Sequence, residues 1–531
     1  MSTAATTIVR PVDRSFAGAM RLAVVFAAIK LIFHIVMTMW EQHIGYSYFR
    51  DEFYYLMCGR HLASGYVDHG PIVAVQARLG ELIFGTSLVG IRMFSAMGGA
   101  GRVLLTGMLT WALGGRRPAQ VLAMICVLVG PQYLGIDSYL SMNSFESLFW
   151  MGCLLALIRM VRGGSERLWW IVFGVSGGLG LLNKPSMTFF LVSLLVALLL
   201  TKQWRLLWSR WAAVGVALLI LIALPNLLWQ MHYHWPTLEF LHNGQVENKN
   251  IKLAPLPFIG KQILNLQPTT LLVWGAGLVW LLRNPAAKSW RWLGLTYLIF
   301  LMVMMALHAK DYYVVPIYPI LFAAGGIAWE MRFANRVSVR QDRVFAFPLM
   351  EAVLLVVAVL VLPMAIPTMR PRQWIAYTKT LHLYDTAGNT ENESSGLLPQ
   401  FYADRFGWQE EIDEVTRIYH LLSPEDQKKV GILCSNYGEA SAINFLGRGL
   451  PFAISGHNSY WLWGPHGYTG EVMIVVNGAT PEEMRKYYDS VVVAGRMDNP
   501  YSMPYERRNI YLVRGRHKNL IDNWADLKHY I

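Results

Sequence analysis

The sequence is short of charge, of cysteine and of nucleotide-binding signatures, and each shortage excludes something. Only 15% of its 531 residues are charged, against 54% hydrophobic and 13% aromatic, and the mean hydropathy is +0.34. Soluble domains carry about 25% charged residues, so a fully water-facing surface is not available to this chain. The same numbers exclude a disordered, collagen-like or coiled-coil protein. Four cysteines (Cys58, Cys126, Cys153, Cys434) make no paired metal spacing and two lie in apolar runs, which argues against a zinc module or a disulfide framework. There is no Walker A loop and no GxGxxG on a strand–helix turn. Acidic residues are the scarcer sign, 34 against 46 Lys and Arg, for a net charge of +12.

On a soluble protein that excess would suggest nucleic acid. Its distribution says otherwise: residues 1–368 hold 29 basic and 15 acidic residues, while 369–531 hold 17 and 19. The excess belongs to the apolar part, and no nucleic-acid partner is expected.

What is present instead is a series of long hydrophobic runs. A bilayer span needs about 20 mostly apolar residues. Eleven candidates fall near 19–40, 90–113, 118–137, 144–161, 168–183, 186–201, 211–230, 268–282, 291–308, 312–330 and 345–367. The chain is therefore expected to be a polytopic α-helical membrane protein of about 11 transmembrane helices over 1–368, followed by an external α/β domain over 369–531. The first run is expected to act as a signal anchor, without a cleavable signal peptide. Short connections rich in Lys and Arg, from Arg10 and Arg14 to Arg336, Arg340 and Arg343, are then cytoplasmic, and the N-terminus with them. An odd number of spans puts the tail outside.

Two outer connections are long, 41–89 and 231–267. In the first, Val75, Leu79, Leu82 and Ile83 share one helical face with Arg78 and Glu81 elsewhere, as in a helix lying in the membrane interface. The tail alternates β-like runs (430–434, 472–476, 490–493, 509–513) with helical stretches (481–488, 520–530).

Polar residues at membrane depth or on its rim are costly and mark function by default. Here nearly all the conspicuous ones face outward. Asp51-Glu52 and Asp68-His69 lie in the first long connection; Asp137, Asn143 and Glu146 surround the next outer turn. Lys184, His242 and the run Lys310-Asp311-Tyr312-Tyr313 follow on the same side. A transporter places its key polar groups near the midplane; this chain crowds them on one rim. Such a rim suits sugar transfer from a polyprenyl-phosphate donor. A carboxylate can take the proton of an acceptor hydroxyl, and lysines or tyrosines can stabilise the phosphate left behind. The alternatives are a polyprenyl-linked sugar transporter or flippase that makes the same contacts without bond cleavage, and a non-catalytic assembly subunit whose working part is the tail.

The segment YFRDEFYYLMCGRHLASGYVDHGP resembles the first external loop of the bacterial family 39 glycosyltransferases, relatives of the protein O-mannosyltransferases and of the aminoarabinose transferase that modifies lipid A. GLGLLNKPSM, HAKDYYVVPIYPILFAAGG and SMNSFESLFW agree with the same family, so the resemblance covers residues 20–330. It implies the GT-C fold, a bacterial inner-membrane location, a periplasmic tail, a polyprenyl-phosphate-linked donor and inversion at the anomeric carbon. It implies Asp51 as the catalytic aspartate with Glu52 beside it, and Asp137 as a second-loop aspartate. Asp68 and His69 fall where relatives have an acidic residue before Pro-Pro, here Gly70-Pro71. His242 is similar to a histidine that, with that acidic residue, can hold a divalent metal; no other cofactor is implied. Lys184, Lys310, Tyr312 and Tyr313 match positions that contact donor phosphate. The acceptor is a lipid, a glycan or a protein.

Plainer roles exist for the same residues. Asp51 and Glu52 can cap an interfacial helix, Lys184 can anchor the membrane edge, and Lys310-Asp311 can form a rim ion pair. Lys30 and Arg102, inside spans, are expected to pair structurally within the bundle. Tyr460-Trp461-Leu462-Trp463 can stack on a sugar or fill the tail core.

Overall fold

In the membrane part the helices run α1 Phe16–His43, α2 Arg50–Arg60, α3 Pro71–Phe84, α4 Leu88–Leu113, α5 Arg117–Val129, α6 Pro131–Asp137, α7 Asn143–Val161, α8 Glu166–Asn183, α9 Ser186–Leu199 and α10 Arg210–His232. They continue with α11 Pro236–Val246, α12 Pro255–Asn265, α13 Leu271–Arg283, α14 Arg291–Ala306, α15 Tyr318–Ala334 and α16 Ala346–Ala365. The computed structural model describes residues 15–334, 346–384, 391–392, 394 and 396–531. The expected orientation markers Arg10, Arg14, Arg336, Arg340 and Arg343 lie outside the described residues.

Among the described residues seven helices are long and apolar enough to cross a membrane, or up to nine if each of two bent pairs counts as one span. The other two of the eleven expected spans fall on α8 and α13. The first is 18 residues diluted by glycine, and the second has only 13 residues. α8 falls short on hydropathy, whereas α13 is strongly apolar and falls short on length alone. A Cβ on Gly174 of α8 would run into the Gly215 carbonyl of α10, so the two backbones touch as small-residue helix pairs do in lipid.

One bent pair matters for the interior. α5 and α6 meet at Gly130-Pro131 with a 63° turn, at a proline that cannot donate to the helix ladder. The bend carries Asp137 in against α1 and α4. Helix α1 buries Lys30, His34, Thr38 and Glu41 along one stripe while its other faces show apolar side chains outward.

Between the spans, α2 and α3 form the first outer connection and α11 and α12 the second. α3 shows the expected apolar face: Val75, Leu79, Leu82 and Ile83 are exposed, and Val73, Ala74, Ala77 and Gly80 are buried.

The tail begins with the amphipathic α17 Pro371–Thr380 and continues through α18 Gln400–Ala403, α19 Trp408–His420, α20 Pro424–Lys429, α21 Tyr437–Leu446, α22 Ser459–Trp463 and α23 Pro481–Met484. Its strands are β1 Gly431–Cys434, β2 Ala453–Ser455, β3 Val472–Val476, β4 Tyr488–Arg496 and β5 Asn509–Arg516, in spatial order β2-β1-β3-β5-β4. β2, β1 and β3 are parallel, with Ile432 opposite Ala453 and Ile474; β5 runs antiparallel to both β3 and β4. All five residues of β3 are buried, as in a strand covered on both faces.

Three tail expectations change. The 481–488 helix stops after one turn, because β4 pairing begins at Tyr488 opposite Arg516. The 520–530 stretch is turn and 3-10 structure, since its end pairs with the β2–α22 connection: His529 N–H donates to the Gly456 carbonyl, and Asn458 N–H to that of His529. Strand β2 was not expected; three residues leave little alternation to read. One buried apolar cluster joins Tyr54, Leu56 and Ala77 of the outer helices to Ile412, Ile432, Ala440 and Ile474 of the tail. The α/β domain and the first outer connection therefore share a core.

Candidate active site at the outer rim

Helix α2 sets the geometry, because successive residues on a helix point about 100° apart. Glu52 points in and Asp51 points out. Glu52 is fully buried, and its carboxylate accepts from Arg92 Nε (2.7 Å) and Nη2 (2.8 Å), from Leu140 N–H (2.8 Å) and from Phe49 N–H (2.8 Å). The same Arg92 reaches Glu41 at 2.8 Å, and Arg405 of the tail also donates to Glu41. The expectation of Glu52 as a second catalytic carboxylate gives way to a structural role: its lone pairs are occupied and it has no solvent face.

The side chain of Asp51 keeps 28% exposure. Its Oδ1 accepts from Tyr437 O–H at 2.9 Å and lies 3.6 Å from Arg50 Nε. Arg50 also donates to Tyr505 O–H at 2.5 Å, and its Nε stands 3.8 Å from Asp404. Burial pushes the Asp404 carboxyl up to about 7, with Arg50 pulling it back down.

Asp68 stands next to this pair. Its Oδ1 accepts from Tyr54 O–H at 2.8 Å, and burial raises its carboxyl above the ordinary value. His69 is buried under the Tyr66 ring (4.6 Å) and donates Nδ1–H to the Gly70 carbonyl at 2.8 Å. Gly70 fits its place closely: any Cβ there would strike the Leu182 carbonyl. That contact seats the end of α8, and so Lys184, against the Asp68 loop.

Two cationic clusters complete the rim. Lys184 is 4% exposed; its Nζ donates to Asn143 Oδ1 (2.7 Å) and Glu146 Oε2 (3.1 Å) and lies 4.1 Å and 5.2 Å from the Tyr313 and Tyr312 ring centres. Ser186 donates to the other Glu146 oxygen. Lys310 (3.4 Å) and Lys249 (3.9 Å) converge on Glu391, which also accepts from Gln400 Nε2 at 3.0 Å. Against the burial that opposes its charge, Lys310, Lys249 and Arg50 hold the Glu391 carboxyl down at about 2. Outside this polar cluster, an open apolar groove of 610 Å³ runs along the outer end of α10, lined by Ser64, Leu221, Pro225, Leu228, Trp229 and His232.

Asp137 does not join the rim. Both its oxygens accept from Arg102 Nη1 (3.0 and 2.9 Å), Lys30 Nζ is 3.2 Å away, and all three side chains are buried. It belongs to a closed intramembrane ion cluster, with the pairing expected of Lys30 and Arg102. The metal expectation also fails on the donor set. His242 is exposed on α11, Asp68 is held by Tyr54, and no group of three or more His, Cys, Asp or Glu among the described residues is arranged to hold a metal ion.

Sequence reasoning passed over Arg50, Lys249, Glu391 and Tyr437. Arg50 had a signal, its place beside Asp51 in FRDEF, whereas Tyr437 lies 386 positions from Asp51, in the tail. Glu391 sits in a polar stretch with no pattern to mark it.

The chain is similar to known proteins over part of its sequence and in its overall fold. Residues 68–229 match the dolichyl-phosphate-mannose-protein mannosyltransferase family. The chain is 32% identical over 166 residues to the undecaprenyl phosphate-alpha-4-amino-4-deoxy-L-arabinose arabinosyl transferases of Pseudomonas aeruginosa and of Pseudomonas paraeruginosa. In both cases the match spans 29% of this chain and 29% of the relative's length. The solved structure of ArnT from Cupriavidus metallidurans bound to undecaprenyl phosphate superposes with a TM-score of 0.59 at 15% identity, over 94% of this chain and 98% of that one. Its apo form gives 0.58 over 93% and 98%. The GT-C fold with a C-terminal α/β domain is thus shared over nearly the whole chain.

Proposed function

We propose that the chain is a multi-pass glycosyltransferase of the bacterial inner membrane that moves a sugar from a polyprenyl-phosphate donor to an acceptor at the external face. The carrying observation is Asp51, a partly open carboxylate on the rim, flanked by Arg50 and within the same basic cluster as Lys249 and Lys310. Residues 1–368 supply the membrane domain and 369–531 cover it from the periplasm, with the N-terminus cytoplasmic.

In this reading the acceptor oxygen attacks the anomeric carbon from the side opposite the phosphate. The carbon–oxygen bond to phosphate breaks, polyprenyl phosphate leaves with the bonding electrons, and the sugar is inverted. The hydroxyl proton passes to Asp51 Oδ2, since Oδ1 is taken by Tyr437. For an acceptor phosphate, already ionised, Asp51 orients and no base is needed. Lys310, Lys249 and Arg50 stabilise the charge developing on the leaving phosphate, with Lys184 holding the Tyr312 and Tyr313 rings beneath it. The polyprenyl chain lies along the α10 groove.

A flippase draws no support from the buried ion cluster of α1, α4 and α6, because Lys30, Arg102 and Asp137 are closed on one another. The test uses purified protein, radiolabelled undecaprenyl-phosphate-linked aminoarabinose and an envelope extract as the acceptor pool. Transfer releases free undecaprenyl phosphate, and Asp51→Asn abolishes that release. A folded Asp51→Asn protein with full transfer ends the assignment.

A further inference from the structure

We infer that Tyr437, supplied by the tail, is a positioning residue for Asp51, so that the active site is completed by the external domain. This rests on the reading of Asp51 given above.

The first observation is the contact itself. Tyr437 O–H donates to Asp51 Oδ1 at 2.9 Å, and among the described residues no other hydrogen bond to the Asp51 carboxylate is found. A helix-terminal aspartate with one such donor has one oxygen fixed and the other free to face the cleft.

The second is that Tyr437 is itself held from several sides. Its ring stacks on Tyr54 at 4.4 Å and 26°, and lies 4.7 Å from the His457 ring. Its own N–H donates to His457 Nδ1 at 3.4 Å. Tyr54 in turn donates to Asp68 and accepts from Ser459 N–H at 3.3 Å. One stacked pair thus holds both rim aspartates.

The third is the local sequence logic. Tyr437 opens α21 straight after β1, at the carboxyl edge of the parallel strands, where α/β sheets present their functional groups. Asn436 caps the helix through Gly438 N–H (2.8 Å) and Glu439 N–H (3.1 Å), and Glu439 accepts from Ser435 N–H at 2.9 Å. The cap fixes where the Tyr437 ring points. At the next position a Cβ on Gly438 would meet Arg50 Cγ at 2.5 Å. The start of α21 therefore presses directly on the first residue of α2.

A charge-assisted hydrogen bond of this kind accounts for about tenfold or more in rate when it holds a reacting group. The experiment compares wild type, Tyr437→Phe, Tyr437→Leu and Asp51→Asn, each as full-length protein in nanodiscs, by release of undecaprenyl phosphate from the same labelled donor. Tyr437→Phe keeps the stack on Tyr54 and removes only the hydroxyl. It is expected to lower kcat about tenfold or more, with donor KM within about twofold and an unchanged melting temperature. Tyr437→Leu loses the stack as well and is expected to be slower still. Wild-type kcat in Tyr437→Phe overturns the inference, and so does a loss that comes with a lowered melting temperature or a raised donor KM. If Asp51→Asn is inactive and Tyr437→Phe is normal, only this inference fails. A fully active Asp51→Asn removes the reading beneath it.

Discussion

Replacing Glu52 by alanine separates structure from chemistry at the rim. Glu52 accepts four hydrogen bonds with no solvent access, two from Arg92 and two from backbone N–H groups of Phe49 and Leu140. Truncation leaves Arg92 with Glu41 and a long 3.5 Å bond to the Ser47 carbonyl, and Glu41 already serves Arg405. Two guanidinium groups would then share one carboxylate in a buried site. Breaking a buried pair costs about 3–5 kcal/mol, and each orphaned backbone donor adds about 1–3 kcal/mol. Against a folding stability of about 5–15 kcal/mol, that is most of the margin. Thermal unfolding of purified protein, followed by loss of the monodisperse size-exclusion peak, should show a melting temperature lower by more than about 5 °C. The double variant Glu52→Leu, Arg92→Leu leaves Glu41 and Arg405 as a neutral pair, and should regain much of the loss. An alanine variant that melts like wild type but fails to transfer sugar would refute the reasoning and return Glu52 to the reaction.

The remaining predictions concern other sites. Lys30→Met should be tolerated within about 1 kcal/mol, because Arg102 alone still neutralises Asp137, whereas Asp137→Asn leaves two buried cations unpaired and should unfold the protein; equal melting temperatures for the two would contradict this. Burial pushes Glu439 up to about 7, as it does Asp404, from ordinary values of 4.5 and 3.8. Such groups keep in the folded chain a proton that the unfolded chain has released, so stability is lost as pH rises from the ordinary value through about 7. Buried His457, held neutral, opposes this only below its ordinary 6.5. Melting temperature should therefore fall between about pH 6.5 and pH 8, and a rise across that window would show the carboxyls to be ionised. His242→Ala should leave transfer within about twofold of wild type, since the ring is exposed and gathers no further ligand; a tenfold loss would reopen the metal reading.

The fold class could be read from the chain because each transmembrane helix carries its own signal, a run of apolar residues. The α8 span shows the limit: there, glycines that let Gly174 pack on Gly215 dilute the apolar run, and composition understates the helix. At the site, Asp51 and Asp68 were legible through local motif, and the cluster they enter was not. Asp51 and Glu52 are chemically near-identical neighbours, and only the helical phase tells which one faces the cleft. Asp137 looked functional because a carboxylate at a span end is costly; its partners, Lys30 and Arg102, are 107 and 35 positions away in the chain and carry no local mark. Tyr437 reaches Asp51 across 386 positions, a pairing that only the docked tail creates.

The shared core between the tail and the first outer connection has a consequence for biogenesis. In the proposed topology, Arg405 and Tyr437 follow the spans in the chain and cross the membrane before they reach Glu41 and Asp51. On the proposed function, transfer then waits until the tail has crossed and its sheet has closed.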